Sequence, residues 1–124
     1  MSPIQTGNFA YDRPGGEASP EMPARPIDMA HLARQTMGDR ALEHEVLQLF
    51  AQQAVTVRKQ ISTASPAERI LLAHGLKGSA RGVGAFAIAD CVAALETSPE
   101  DAGVFDRLSL LIDQACDFIS AIHR

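Results

Sequence analysis

Residues 73–85 read Ala73-His74-Gly75-Leu76-Lys77-Gly78-Ser79-Ala80-Arg81-Gly82-Val83-Gly84-Ala85. Four glycines fall between positions 75 and 84. Their number argues against a helix, because each interior glycine costs roughly 1 kcal/mol relative to alanine. The apolar spacing argues for one. Leu72, Leu76, Ser79 and Val83 follow at steps of four, three and four, which puts them on one side of an α-helix. Local preference and overall pattern therefore conflict here, and such conflicts gather at functional sites.

The remaining face of that helix has its own logic. Counting from His74, positions i+3, i+4 and i+7 carry Lys77, Gly78 and Arg81. Gly78 has no side chain, so the imidazole beside it is open to approach. Lys77 is one turn away and reaches an anion attached to the ring. Arg81 lies about 10 Å along the axis. Neutral imidazole attacks phosphorus through Nε2 near neutral pH, since its ordinary pKa is about 6.5. A lysine ammonium screens phosphoryl oxygens. The spacing thus predicts an exposed histidine that takes up a phosphoryl group and releases it.

Working outward, Ser65, Pro66 and Glu68 open this helix, with Ser65 as cap and Pro66 at the first helical position. Upstream, Asp39 caps a longer helix to about Ser62. Its stripe is Leu42, Val46, Leu49, Phe50, Gln53, Val57 and Ile61, with Gln53 the only polar member. A short helix runs from Asp28 to about Met37, with Met29, Leu32 and Ala33 on one side, and Gly38 ends it. Downstream, Ala85, Ile88, Ala89, Val92 and Leu95 mark a fourth helix, which Ser98-Pro99 breaks. A fifth starts at Pro99 or Asp101 and carries Val104, Leu108, Leu111, Ile112, Ala115, Phe118, Ile119 and Ile122. No segment alternates with period two over a strand's length. The predicted fold is all-α: an antiparallel four-helix bundle with a short additional N-terminal helix across one end or side.

The chain has 124 residues, 46% hydrophobic and 21% charged, which suits one small domain. Five of its seven prolines and three of its nine glycines fall in residues 1–26, without apolar period. That stretch reads as a flexible N-terminal tail, and residues 27–124 as the bundle. A bundle of that size encloses one core but no large substrate cleft. A dinucleotide-binding domain with a substrate domain is excluded, as is a full kinase domain. The net charge is -4 and the eleven Lys and Arg are dispersed, so nucleic acid is not an expected partner. No run approaches the roughly 18 apolar residues of a membrane span. The start, MSPIQTGNFAYDRPGGEAS, lacks the basic and apolar parts of a secretory signal. Cys91 and Cys116 sit in apolar helical patterns and read as reduced core thiols. A cytoplasmic monomer is expected, its stripes satisfied within one bundle.

Metal chemistry finds little support. No Glu has a His three residues later, the spacing of di-iron bundles. Asp28-x-x-His31 stands alone, and His44-Glu45 does not continue to a second histidine. His31, His44 and His123 lack the combination of small neighbour and cation found at His74, so they read as bystanders. No metal site is expected.

The run Ala73 to Ala80, followed by Gly84-Ala85, resembles the signature of histidine-containing phosphotransfer (HPt) domains. The Leu49-Phe50 helix, the stretch from Cys91 to Leu95-Glu96 and the final amphipathic helix extend the resemblance over residues 27–124. It implies a bundle with one exposed phospho-accepting histidine, His74. Lys77 would neighbour the phosphoryl group, Gly78 would keep the approach clear, and Gly84 would break the third helix from the fourth. Gly75 departs from the pattern, since a small hydroxyl residue is commoner there.

The resemblance also implies a carrier rather than an enzyme. No phosphate-cradling glycine loop joins a strand to a helix, and His74 is followed by glycine rather than by the acid typical of kinase dimerisation helices. The implied partners are receiver domains of a hybrid sensor kinase and of response regulators. Mg²⁺ would be held by the receiver, and this chain would bind no cofactor. With a turn near 63–65, His74 falls level with about Gln53 to Val57. Gln52, Thr56 and Lys59 are therefore candidates for the docking rim, and Arg81 would attract an acidic partner. The alternatives are an adaptor or kinase-inhibiting bundle that docks without carrying phosphate, and a metal-binding bundle.

Overall fold

Each described helix but one starts where a short acceptor side chain meets exposed N–H groups, a contact worth about 1 kcal/mol. A computed structural model describes residues 25–123. In it Asp28 accepts from the His31 N–H and opens α1 (Met29–Gln35). Asp39 accepts from Leu42 and opens α2 (Arg40–Ile61). Ser65 and Glu68 exchange both bonds of a capping box at the start of α3 (Pro66–Val83). Asp101 accepts from Gly103 and Val104 at α5 (Ala102–Ile122). The exception is α4 (Phe86–Thr97), whose Ala85 has no capping side chain. It leaves directly from the end of α3.

That exit depends on Gly84. Its φ is +87°, in the left-handed region, and it ends α3 while Ala85 donates to the Ala80 carbonyl at 2.7 Å. A Cβ there would also lie 2.8 Å from the Asp28 carbonyl oxygen. The Asp28 N–H donates to the Gly84 carbonyl at 2.9 Å, so this corner ties the start of α1 to the α3–α4 junction.

The four long helices form a ring in which α2 packs on α3 and α5, and α4 packs on α3 and α5. No strand occurs among the described residues. The fold is all-α, a four-helix bundle with one extra helix. α1 lies across α2 and α3 at one end. No described helix is long and apolar enough to cross a membrane.

The α4 stripe is buried as expected: Ala85, Ile88, Ala89, Val92 and Leu95. In α5, Leu108, Ile112, Ala115 and Ile119 are buried, whereas Val104, Leu111 and Phe118 are half-buried and Ile122 is exposed. The α2 stripe is corrected. Leu42 and Leu49 are exposed and Val46 is half-buried, while Glu43, Leu47 and Ala54 join Phe50, Val57 and Ile61 inside. The reason is geometric. α2 sits between α3 and α5, and Leu42, Val46 and Leu49 fall about 60–120° round from the middle of its core side, toward α3. α3 is turned likewise: Ala73 and Ala80 are buried with Leu76 and Val83, and Leu72 and Ser79 are half-buried. Small alanines let α3 approach α4 closely.

Glu43 stays inside because Thr36 donates to its Oε2 at 3.4 Å and Arg40 lies 3.8 Å from its Oε1. α1 ends at Gln35 rather than Met37, and Met37 and Gly38 turn the chain with positive φ. Cys91 is buried and Cys116 half-buried, and both are free thiols pushed up in pKa by burial. The tail expected over residues 1–26 lies outside the described residues except for Arg25 and Pro26.

Candidate functional site

α3 is held at both ends, which makes it a platform. Near its start the Arg69 guanidinium donates to the Ile61 carbonyl at 3.0 Å and to the Pro99 carbonyl at 2.9 Å, joining the α2–α3 and α4–α5 turns. At its end stands the Gly84 corner. His74 lies between, its side chain 75% exposed.

One atom pair organises the centre. His74 Nδ1 lies 3.2 Å from Oε2 of Glu96, in the last turn of α4. Oε1 of the same carboxylate accepts from Lys77 Nζ. Lys77 and Glu96 are each only 18% exposed, so the ammonium is seated beside the ring rather than trailing in solvent. The Lys77 bond chiefly, and the His74 bond after it, hold the Glu96 carboxyl below its usual range, against an opposing effect of burial. Glu96 is therefore ionised at neutral pH. An ionised carboxylate only accepts, so the neutral imidazole donates through Nδ1–H. Its Nε2 then carries a free lone pair on the exposed side. Such a ring can act as a nucleophile, and a cation stands next to it.

Both sides of His74 differ in character. Toward α4 lies the Lys77–Glu96 pair. Toward α2 lies a bare strip, where a Cβ built on Gly75, Gly78 or Gly82 would meet nothing within 4 Å. Packing among the described residues thus gives no reason for glycine at these three positions. Beyond the strip runs a trough between α2 and α3. One end is a groove of about 360 Å³ lined by Val46, Leu49, Phe50, Gln53, Ser79, Gly82 and Val83. The other, near the turn, is lined by Gln60, Thr63, Ala64, Glu68, Leu71 and Leu72. His74 falls between these ends, level with the middle of α2.

The candidate residues separate accordingly. His74 and Lys77 meet through Glu96, and Gly78 leaves the space beside them open. Arg81 is exposed two turns on and makes no ion pair among the described residues. Gln52, Thr56 and Lys59 are all exposed on α2. Thr56 borders the trough at the level of His74, whereas Lys59 points about 60° further round, away from it. His44 and His123 face each other with ring centroids 3.8 Å apart, at the far end of α2. Among the described residues no three His, Cys, Asp or Glu side chains gather as a metal-ligand set.

Spacing alone does not reveal Glu96, because nothing local ties the last turn of α4 to the middle of α3. The available signal is an acid directly after Leu95, one of two with Asp90 in a mostly apolar helix, within the stretch that carries the resemblance.

The model of the Hpt domain family matches residues 45–118, more than half of the chain. No curated protein and no solved structure matches this chain. The match spans α3 and α4 whole, together with most of α2 and of α5, and so takes in His74, Lys77, Gly78 and Glu96. The chain belongs to the Hpt domain family, whose members are phosphocarriers in phosphorelays that work with receiver domains.

Proposed function

We propose that this chain relays a phosphoryl group between receiver aspartates through Nε2 of His74. The observation that carries the reading is the exposed imidazole whose Nδ1 faces Glu96 at 3.2 Å while Lys77 is seated alongside.

The chemistry balances without a proton transfer. The Nε2 lone pair attacks phosphorus of the donor's aspartyl phosphate. The N–P bond forms as the P–O bond to the aspartate breaks, and the carboxylate leaves with that electron pair. The ring keeps its Nδ1 proton and becomes a cation, which the ionised Glu96 stabilises across the Nδ1–H bond. Lys77 turns toward the phosphoryl oxygens. The acceptor aspartate then attacks phosphorus, and the neutral ring is released with its tautomer unchanged. Positioning and charge do most of the work in such a transfer. Mg²⁺ is supplied by the receiver. Gly78 and the trough side of α3 admit the partner's surface, with Thr56 at its rim, Gln52 about 40° further round α2 at its outer margin, and Arg81 drawing in its acidic pocket. Free thiols at Cys91 and Cys116 fit a cytoplasmic relay.

Incubation with a ³²P-labelled receiver tests the reading. Label is expected on the wild type and absent from His74→Gln. Equal labelling of the two overturns it. A variant that carries no label yet keeps full regulatory activity would favour the adaptor alternative.

A further inference from the structure

The trough extends well past the reacting centre, and its character changes along its length. Two seams border it at steps of four and three: Leu42, Val46, Leu49 and Gln53 on α2, and Leu71, Gly75, Gly78 and Gly82 on α3. Leu49 is 59% exposed and Leu42 40%. Phe50 and Val83 form the floor near them. At the turn end exposed Leu71 and half-buried Leu72 stand among Gln60, Thr63 and the charged Glu68. The end away from the turn holds no charged side chain and only Gln53 and Ser79 as polar ones, so it is the more apolar of the two, and Gln53 and Thr56 stand level with His74.

The chain's own N-terminal segment enters the bundle at that apolar end. Ile27 is fully buried, and Asp28 is bonded to Gly84, one residue from Val83 in the groove. The first 24 residues, outside the described ones, have an uneven composition. Ile4, Phe9 and Tyr11 lie near the start, and Tyr11 is the only tyrosine of the chain. Between them and Ile27 come Pro14, Gly15, Gly16, Pro20, Pro23 and Pro26. A connection of that length spans about 20 Å as a coil and more if proline-extended. Gly84 to His74 is about 15 Å along α3. The connection therefore reaches the whole groove, and its tethered end sees it at an effective concentration in the millimolar range.

We propose that the segment Ile4–Tyr11 docks in the apolar end of the trough, with Phe9 and Tyr11 against Leu49, and so competes with receivers for the surface beside His74. The docking stands on the groove and the point of entry. The competition rests on the phosphotransfer reading given above. Tethering selects this occupant over a second copy of the chain. At micromolar protein, the tethered segment is about a thousandfold more concentrated at the groove than a second molecule. A segment docked 70–90% of the time leaves about 10–30% of molecules open, so removing it speeds transfer from a dilute receiver about three- to tenfold.

The test compares the full wild-type chain with Phe9→Ser/Tyr11→Ser, which leaves every described residue unchanged. Amide NMR spectra of the two are expected to differ at Val46, Leu49, Ser79 and Gly82, independently of protein concentration. Leu49→Ser should in turn shift the amides of Phe9 and Tyr11. Unchanged groove amides overturn the docking, and so do shifts that grow with concentration, which would mark a second copy. Groove shifts with an unchanged transfer rate leave the docking and overturn the competition. If the wild type takes no label at all, the phosphotransfer reading has failed, and the spectra still decide the docking.

Discussion

Nδ1 of His74, on α3, faces Oε2 of Glu96, on α4, at 3.2 Å. The contact crosses the bundle's most intimate helix pair and sets which ring nitrogen is left for chemistry. The other Glu96 oxygen is already engaged by Lys77. One carboxylate thus orients the nucleophile and stores the cation that the phosphoryl group will need.

Glu96→Gln removes the charge and keeps the shape. A hydrogen bond to a charged group is worth about 1.5–3 kcal/mol, so transfer to His74 should slow about ten- to hundredfold. Quench-flow labelling measures it. Unchanged transfer would show that Glu96 only holds Lys77.

The Lys77–Glu96 bond should appear in the acid stability of the fold. Glu96 titrates below its ordinary value of 4.5 in the folded chain. The unfolded chain therefore binds more protons across the window between the two values, and stability falls as pH drops through it. Lys77→Met removes the chief cause of the shift. Urea melts between pH 3 and 5 should show a shallower acid loss for this variant.

His123 should act in a higher window. Its pKa is lowered, first by burial and then by His44, whose ring centroid is 3.8 Å away. A histidine shifted downward contributes stability above its unfolded value of 6.5, and that stability is lost as pH falls toward the folded value. His123→Phe should flatten the change in Tm between pH 7.5 and pH 5. An equal fall in both proteins would place the acid sensitivity elsewhere.

The glycines of α3 should divide into two kinds. Gly84→Ala meets both positive φ and the Asp28 carbonyl, so it should cost about 2 kcal/mol or more, a Tm loss of about 8–16 °C. Gly75→Ala and Gly78→Ala meet nothing, and each should stabilise by about 0.5–1 kcal/mol. Gly78→Ala should nevertheless slow transfer, because its methyl group stands in the partner's approach. Thermal melts and labelling rates on the same samples separate the two effects.

The helices were legible because their boundaries are written locally. Asp28, Asp39, Ser65 and Asp101 cap what the periodicity predicts. The rotation of α2 was not. Leu42, Val46 and Leu49 obey the helical period as well as Leu47, Ala54 and Val57 do. Periodicity says which residues share a side, and only the neighbouring helices decide which side is covered. An apolar seam left beside α3 is indistinguishable, in sequence, from a core seam. The site divides in the same way. His74, Lys77 and Gly78 follow from spacing within one helix. Glu96 lies 22 residues from His74, on another helix, and only the packing of α3 against α4 brings the two together.

The relay turns on one atom, Nε2 of His74. A phosphorus–proton correlated NMR spectrum of the chain, phosphorylated by a receiver, observes it directly. A single phosphoryl group coupled through Nε2 to the ring of His74 is expected, with no signal from His74→Gln. Phosphorus on Nδ1, or on the ring of His31, His44 or His123, would contradict it.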